Sequence, residues 1–332
     1  MARNPKFDVV GVIDRRAGHA EAIAADHELR NWARSDSLHG VPWLDKVDAI
    51  TIGSAPFSHH KLISEALALG KHVLTEKPFT MTADEADDLI VRRDAAEKTL
   101  CVVHNFQFAR SMQQLMTDLQ AGELGKIQSL SAVQFGNPAR RLPTWYEDLP
   151  LGLFYDESPH LLYLLKRLAP GALTLQHAAI HGSTRGDETP ASITAHYGFD
   201  VDGTSYPATL SCNFESPVSE WYVMVFGSER LGIVDVFRDI YVSLPNDGLH
   251  VTQTVIRTSV TATWQHWLQT VISGIGHLRG RLFYGNETVF DRFADAVLHG
   301  KTPTGITAED ARAVQRMQQD IIERGMRMGG QS

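Results

Sequence analysis

Cysteine is scarce in this chain: Cys101 and Cys212 are the only two in 332 residues. Two thiols cannot build a disulfide framework, and both read as buried free thiols. No stretch approaches the roughly 20 apolar residues of a membrane helix. The opening Met1-Ala2-Arg3-Asn4-Pro5-Lys6 lacks the apolar segment of a secretory signal. Basic charge is in deficit, with 31 Lys and Arg against 39 Asp and Glu, a net charge of −8 and no basic run. That argues against nucleic acid or an anionic membrane as a partner. Internal repeats and low-complexity segments are also missing. A cytoplasmic protein is expected. What remains is ordinary globular composition, 43% hydrophobic with 26 Gly and 14 Pro, enough for one large or two medium domains.

The most informative stretch is Gly70-Lys71-His72-Val73-Leu74-Thr75-Glu76-Lys77-Pro78-Phe79. A glycine turn leads into an apolar strand that ends on an acid, a lysine and a proline. Proline fixes its own φ and keeps the residue before it out of the helical region. Lys77 is therefore held at a strand end, and ligands of parallel sheets bind at that carboxyl edge. A lysine before a loop proline is ordinarily a surface residue; the unbroken run of turn, strand and Glu-Lys-Pro shifts the balance toward function.

Glu76-Lys77-Pro78 after the Gly70-to-Val73 strand entry resembles the signature of the glucose–fructose oxidoreductase, inositol dehydrogenase and rhizopine catabolism (Gfo/Idh/MocA) family. The resemblance implies a sugar or cyclitol oxidoreductase using NAD or NADP. It implies a Rossmann-like domain over residues 1–108, incomplete at its start. An α+β domain for substrate and oligomer contacts follows over 109–332, built on an open antiparallel sheet. Homo-oligomers, dimers or tetramers, are expected.

Phe7 to Ile13 is a nearly continuous apolar run, the pattern of a strand covered on both faces, and it ends at Asp14. An acid at that point accepts hydrogen bonds from an adenosine ribose and favours NAD, while Arg15 and Arg16 keep NADP open by stacking on adenine or taking a phosphate. The ordinary reading of Asp14 is a turn residue. The chain has no G-x-G-x-x-G near its start, and only the tail of a βαβ unit fits before Phe7. Either Met1 is not the native start or the protein is a shortened variant. The first is favoured, because a sheet without its central strand leaves open edges.

An alanine-rich helix is expected from Ala17 to Ala33, then a buried strand from Val47 to Gly53. The loop Ser54-Ala55-Pro56-Phe57-Ser58-His59 matches the family's "TPNxxH" at Ser54 and His59 and departs from it at Ala55 and Pro56. By resemblance it touches the nicotinamide ribose; a lone histidine there is otherwise a helix-start residue. Thr82 caps a helix with Asp84 and Glu85 in its first turn. Phe106 and Gln107 follow the strand Leu100 to Val103 and are expected in a sugar pocket, with Gln107 where the family often has arginine.

The second domain opens on the alternating strand Ile127 to Phe135. Residues 138–150, with Arg140, Arg141, Trp145 and Tyr146, read as a lid. A helix then carries Asp156 and His160, four apart and so on one face. These match the family's "DxGxH" motif, with Ser158 in place of the glycine. Alone, such a pair is more often an N-cap and a core histidine. Strands are expected over 192–199, 204–214, 220–227, 232–237 and 239–244, and helices over 263–275, 286–298 and, capped by Thr307, up to about Arg327.

The expected reaction is oxidation of a secondary hydroxyl of a sugar, glycoside or cyclitol, or its reverse. By resemblance His160 is general acid/base, Lys77 a cation at the developing alkoxide, and Asp156 an orienting acid. Substrate contacts are Lys77, Phe106, Gln107, Trp145, Asp156 and His160. Cofactor contacts are Asp14, Arg15, Ser54, His59, Glu76 and Lys77. No second His or Cys pair stands at ligand spacing, so no metal is expected. A non-catalytic family member that binds a sugar or a partner subunit is the alternative, and a metal-dependent lyase or hydrolase built on Asp156 and His160 ranks last.

Overall fold

The computed structural model describes residues 1, 4–280 and 284–329. The chain falls into two compact units. One comprises Met1–His104 with Asn286–Gln315, and the other Asn105–Gly285 with the chain from Arg316 onward. The sequence reading places a single boundary at 108 and assigns all later residues to the second domain; the structure returns Asn286–Gln315 to the first unit.

The first unit runs β1 (Gly11–Asp14), α1 (His19–Asp26), β2 (Asn31–Arg34), β3 (Ala49–Ile52), α2 (His59–Ala68), β4 (His72–Thr75), α3 (Ala83–Ala96) and β5 (Leu100–Val102). All its strand pairs are parallel, but they form two sheets, β1-β2 and β3-β4-β5. Both share one core, in which Leu38, Ile52, Ile63, Val73, Leu89 and Val102 meet. The helix expected over 17–33 is a correction. It stops at Asp26, Glu28 takes the left-handed conformation with φ 54°, and residues 31–34 are a strand. No glycine marks that stop, and a four-residue strand with one aromatic is too short to show a period.

At α3 the sequence signal and the structure coincide. Thr82 Oγ1 accepts from Glu85 N at 3.1 Å, which satisfies an orphan donor of the first turn, and Glu85 reaches back to Met81 N, just before the cap, at 2.9 Å. The returning segment is fastened to the same unit. Phe7 packs against Phe290 and Phe293 of α7 (Asn286–His299). Val102 N donates to Ile306 O at 2.9 Å, and Arg93 forms a forked pair with Glu309.

The second unit begins with α4 (Arg110–Gln120), β6 (Ile127–Phe135) and α5 (Leu153–Leu168). Then come β7 (Thr174–His181), β8 (Ser192–Val201), β9 (Thr204–Asn213), β10 (Glu220–Gly227), β11 (Arg230–Asp235) and β12 (Ile240–Pro245). The 27-residue α6 (Thr252–Leu278) closes this run. Its strands form one seven-stranded sheet in the order β12-β11-β10-β6-β9-β8-β7. The sheet expected to be antiparallel is mixed, because β6 and β9 pair in parallel. The long excursion through α5 returns the chain beside β6 in the same direction.

α5 is buried over all but Asp156, Lys166 and Arg167. A helix apolar on every side belongs inside a protein. Pro159 lies within it, and proline has no N–H to give the carbonyl four residues back. That carbonyl, Tyr155 O, accepts instead from Gln318 Nε2 at 2.8 Å. Gln318 belongs to α8 (Ala308–Gly329) and also donates to Ser158 Oγ at 2.8 Å.

Candidate functional site

In the first unit the sequence-predicted residues gather at the carboxyl ends of parallel strands. Asp14 ends β1, and both its oxygens are held by Arg16, through the backbone N–H at 2.8 Å and the guanidinium at 3.2 and 3.1 Å. The Arg16 hydrogen bond keeps the Asp14 carboxyl below its usual range. Beside it, Arg15, Arg16, Arg34, Ser35 and Asp36 line an open cleft of about 620 Å³. Three guanidinium groups at the ends of β1 and β2 fit the anionic end of a dinucleotide.

The next strand end is organised by His59, which is fully buried. Its Nδ1 faces Pro78 O at 2.8 Å and Phe79 O at 3.2 Å, while Nε2 faces Ser54 O at 2.9 Å. The ring therefore clamps the loop after β3 to the loop after β4. Burial pushes its pKa down, against the pull of the carbonyls. Ser58 Oγ donates to Ala55 O at 2.8 Å, so in its 2.6 Å pair with Ser54 Oγ the Ser54 hydroxyl is the donor. β4 pairs with strands on both sides, and Glu76 N donates to Ile52 O at 2.8 Å. Lys77 follows, joined to Pro78 by a cis peptide bond, and both Glu76 and Lys77 are half-buried.

In the second unit Phe106, Asp156 and His160 come together. Asp156 is the only residue in the first two turns of α5 that keeps solvent access, and His160 lies one turn on. The His160 ring is 8% exposed. Phe106 meets it edge-on at 4.8 Å between centroids, and Trp221 lies at 5.5 Å. His160 Nδ1 is 2.9 Å from the hydroxyl of Tyr163, and that oxygen also accepts from Phe106 N at 3.0 Å. Tyr163 thus occupies Nδ1 and ties the ring to the backbone at Phe106. Tyr284 packs on Phe106 at 5.3 Å. Its neighbour Gly285, at φ 85°, lies so close that a Cβ there would come 2.4 Å from Asn105 O.

Gln107 is buried in the 3₁₀ turn Phe106–Phe108, and its carbonyl accepts from Gln113 Nε2 at 3.0 Å. Trp145 is half-buried in the turn Thr144–Asp148, and among the described residues it makes no ring contact with the His160 cluster. Sequence reasoning did not single out Tyr163, although its position three residues after His160 was a signal. It also missed Glu157, a 7% exposed acid that accepts from Arg140 and Gln134 at 2.5 Å each. Among the described residues no group of three or more His, Cys, Asp or Glu side chains could hold a metal ion. No described helix is long and apolar enough to cross a membrane.

A parallel α/β unit with its charged loops at strand ends, followed by a unit on an open mixed sheet, is the build of a Rossmann-type NAD-binding protein. Residues 1–104 match the model described as "Oxidoreductase family, NAD-binding Rossmann fold". Over those residues the chain resembles the Gfo/Idh/MocA oxidoreductases. It is similar to an uncharacterised oxidoreductase of Schizosaccharomyces pombe, 30% identical over 165 residues, 47% of this chain and 42% of that one. A dTDP-3,4-didehydro-2,6-dideoxy-alpha-D-glucose 3-reductase of Saccharopolyspora spinosa is 28% identical over 253 residues, 69% of this chain and 73% of its own length. Among solved structures, UDP-N-acetylglucosamine 3-dehydrogenase of Acidithiobacillus ferrooxidans superposes with a TM-score of 0.70 at 18% identity, covering 95% of this chain and 89% of that one. At that identity the likeness is one of fold.

Proposed function

We propose that the protein is an oxidoreductase dependent on NAD or NADP that acts on a secondary hydroxyl of a sugar, glycoside or cyclitol. The observation that carries this reading is the His160 arrangement. It is a buried imidazole with Nδ1 committed to Tyr163, one helical turn from the accessible acid Asp156. Imidazole titrates near neutral pH and can take the hydroxyl proton in one direction and return it in the other. Asp156 holds a neighbouring hydroxyl or orients the histidine. Lys77, fixed between β4 and Pro78, supplies a cation for the developing alkoxide. Bound nicotinamide supplies the hydride acceptor or donor.

On the first unit, Asp14 and the arginine-lined cleft take the adenosine end, and Glu76 keeps the strand end in place. With both its oxygens held by Arg16, Asp14 supports NAD only if Arg16 gives way; Arg15 and Arg34 supply charge for a phosphate. His59 serves this site by clamping its two loops, since both its nitrogens face loop carbonyls. The names of the Saccharopolyspora reductase and the Acidithiobacillus dehydrogenase support a sugar substrate and place nucleotide-linked sugars first in a screen.

The test is turnover of Lys77→Ala and His160→Ala beside the parent. Each is expected to keep its thermal melt, and His160→Ala its NADH binding, while kcat falls about 10²–10⁴-fold, the range of general acid–base catalysis. Near-parental kcat in either variant removes that residue from the reaction.

A further inference from the structure

The longest helix of the second unit has its polarity reversed. The side of α6 that faces the protein is a stripe of small and polar residues at spacings of three and four: Thr258, Ala262, Gln265, Gln269 and Ser273. Gln265 and Gln269 lie along the edge of β12 as a further strand does. Gln265 Oε1 accepts from Ser243 N at 2.7 Å and its Nε2 donates to Ser243 O at 3.0 Å. Gln269 does the same at Tyr241, accepting from N at 2.8 Å and donating to O at 2.5 Å. Farther along, Ser273 Oγ donates to Asp239 O at 3.1 Å and accepts from Arg110 at 2.8 Å.

The opposite side is apolar and faces outward. Trp264 and Trp267 are 68% and 66% exposed, Val260 64%, Val271 52% and Leu278 91%, with Leu268 and Ile272 on the flank. A tryptophan side chain alone offers ~150–250 Å². The stripe therefore exceeds the roughly 300–600 Å² of the largest apolar patch on an ordinary monomer. It is of the order of the ~800 Å² per partner that a specific interface buries.

We propose that this face of α6 is the interface with a second copy of the chain, the two α6 helices pairing antiparallel about a two-fold axis. Three observations select that occupant. Val260, Trp264, Trp267 and Val271 are spaced four, three and four, and Leu278 lies seven further on, the repeat by which helices pair along a seam. From Thr252 to Leu278 there is no acid, and Arg257 is the one Lys or Arg. A two-fold contact sets each patch against itself, and here it meets no like-charge repulsion. A membrane surface fits worse, since helices that lie on lipid carry Lys and Arg on their polar side and this chain has a net charge of −8. An antiparallel pair centred between Trp267 and Leu268 sets Trp264 against the partner's Val271, large against small. The proposal is independent of the enzymatic reading.

The test is the molar mass of the whole chain by light scattering after size exclusion, for the parent, Trp264→Glu/Val271→Glu and Val91→Glu. Val91 is exposed on α3 of the first unit and serves as the control for an added surface charge. The expected result is a parent of two or more chains, a helix variant of half the parent's mass with an unchanged thermal melt, and a control variant of parental mass. Trp267→Cys is expected to form a disulfide-linked dimer under mild oxidation, since the native thiols Cys101 and Cys212 are buried. A monomeric parent overturns the proposal. So does a helix variant that keeps the parent's mass, or a monomer that binds neutral phosphatidylcholine vesicles through this face. Should the helix variant unfold, the Trp267→Cys cross-link decides, and its failure to form overturns the proposal.

Discussion

His59 shows how a residue can serve a site without presenting itself to a ligand. Its ring lies between Ser54 O and the Pro78 and Phe79 carbonyls, donating its single N–H to one side, and the loops that follow β3 and β4 pack around it. Burial lowers its folded pKa beneath the unfolded value near 6.5. The stability it contributes is complete above that unfolded value and is lost as pH falls from there through the lowered folded value. Urea midpoints measured between pH 7.5 and 5 are expected to decline in the parent more steeply than in His59→Gln, which cannot gain the proton. Equal slopes would show that His59 does not carry the dependence. Residue types were legible at this scale and their partners were not. Asp156 and His160 show themselves by a four-residue spacing, whereas the bond from His160 to Tyr163 depends on the rotamers of both rings, which no spacing specifies.

At the scale of elements, the sheet was readable because alternation was strong. β6 and β10 occupy the residues expected of them, 127–135 and 220–227. α6 was read over only half its length, 263–275 against Thr252–Leu278, since its inward side is polar and its outward side apolar. A rule that looks for an apolar stripe facing a core finds the wrong face of such a helix. β2 escaped for want of length, and the parallel pairing of β6 with β9 is a property of the path between them. The two glutamines of α6 give an element-scale test. Gln265→Leu/Gln269→Leu removes four hydrogen bonds to the β12 edge, each worth roughly 0.5–1.5 kcal/mol net, and uncovers a strand edge that invites pairing. A loss of about 2–6 kcal/mol in chemical denaturation is expected, with turbidity on warming. A parental denaturation curve would mean that water replaces the amides without cost.

At the scale of the molecule, the first unit is discontinuous in sequence. Residues 286–315 complete it through Phe290 and Phe293 around Phe7, the Ile306 carbonyl at Val102, and the ion pairs Arg93–Glu309 and Arg312–Asp87. A chain cut after His104 lacks all of these. Such a fragment is expected to show no cooperative thermal transition by circular dichroism, and a fragment joining 1–104 to 286–315 is expected to recover one. A sharp melt for residues 1–104 alone would show that the returning segment is ornamental to this unit. Nothing in the sequence announces the return, because linear order carries no mark of which helix closes which core.

Pro159 and Gln318 are 159 residues apart and chemically one feature: the proline withholds an N–H from Tyr155 O, and the glutamine supplies it. The dependence runs one way: alanine at 159 gives that oxygen a second donor, which its two lone pairs can take, whereas leucine at 318 removes the donor that the proline makes necessary beside the helix that carries His160. A lineage that keeps the proline is under pressure to keep the glutamine. The proline should therefore travel with the glutamine through descent, so that relatives with an apolar residue standing opposite on the last helix are expected to lack it.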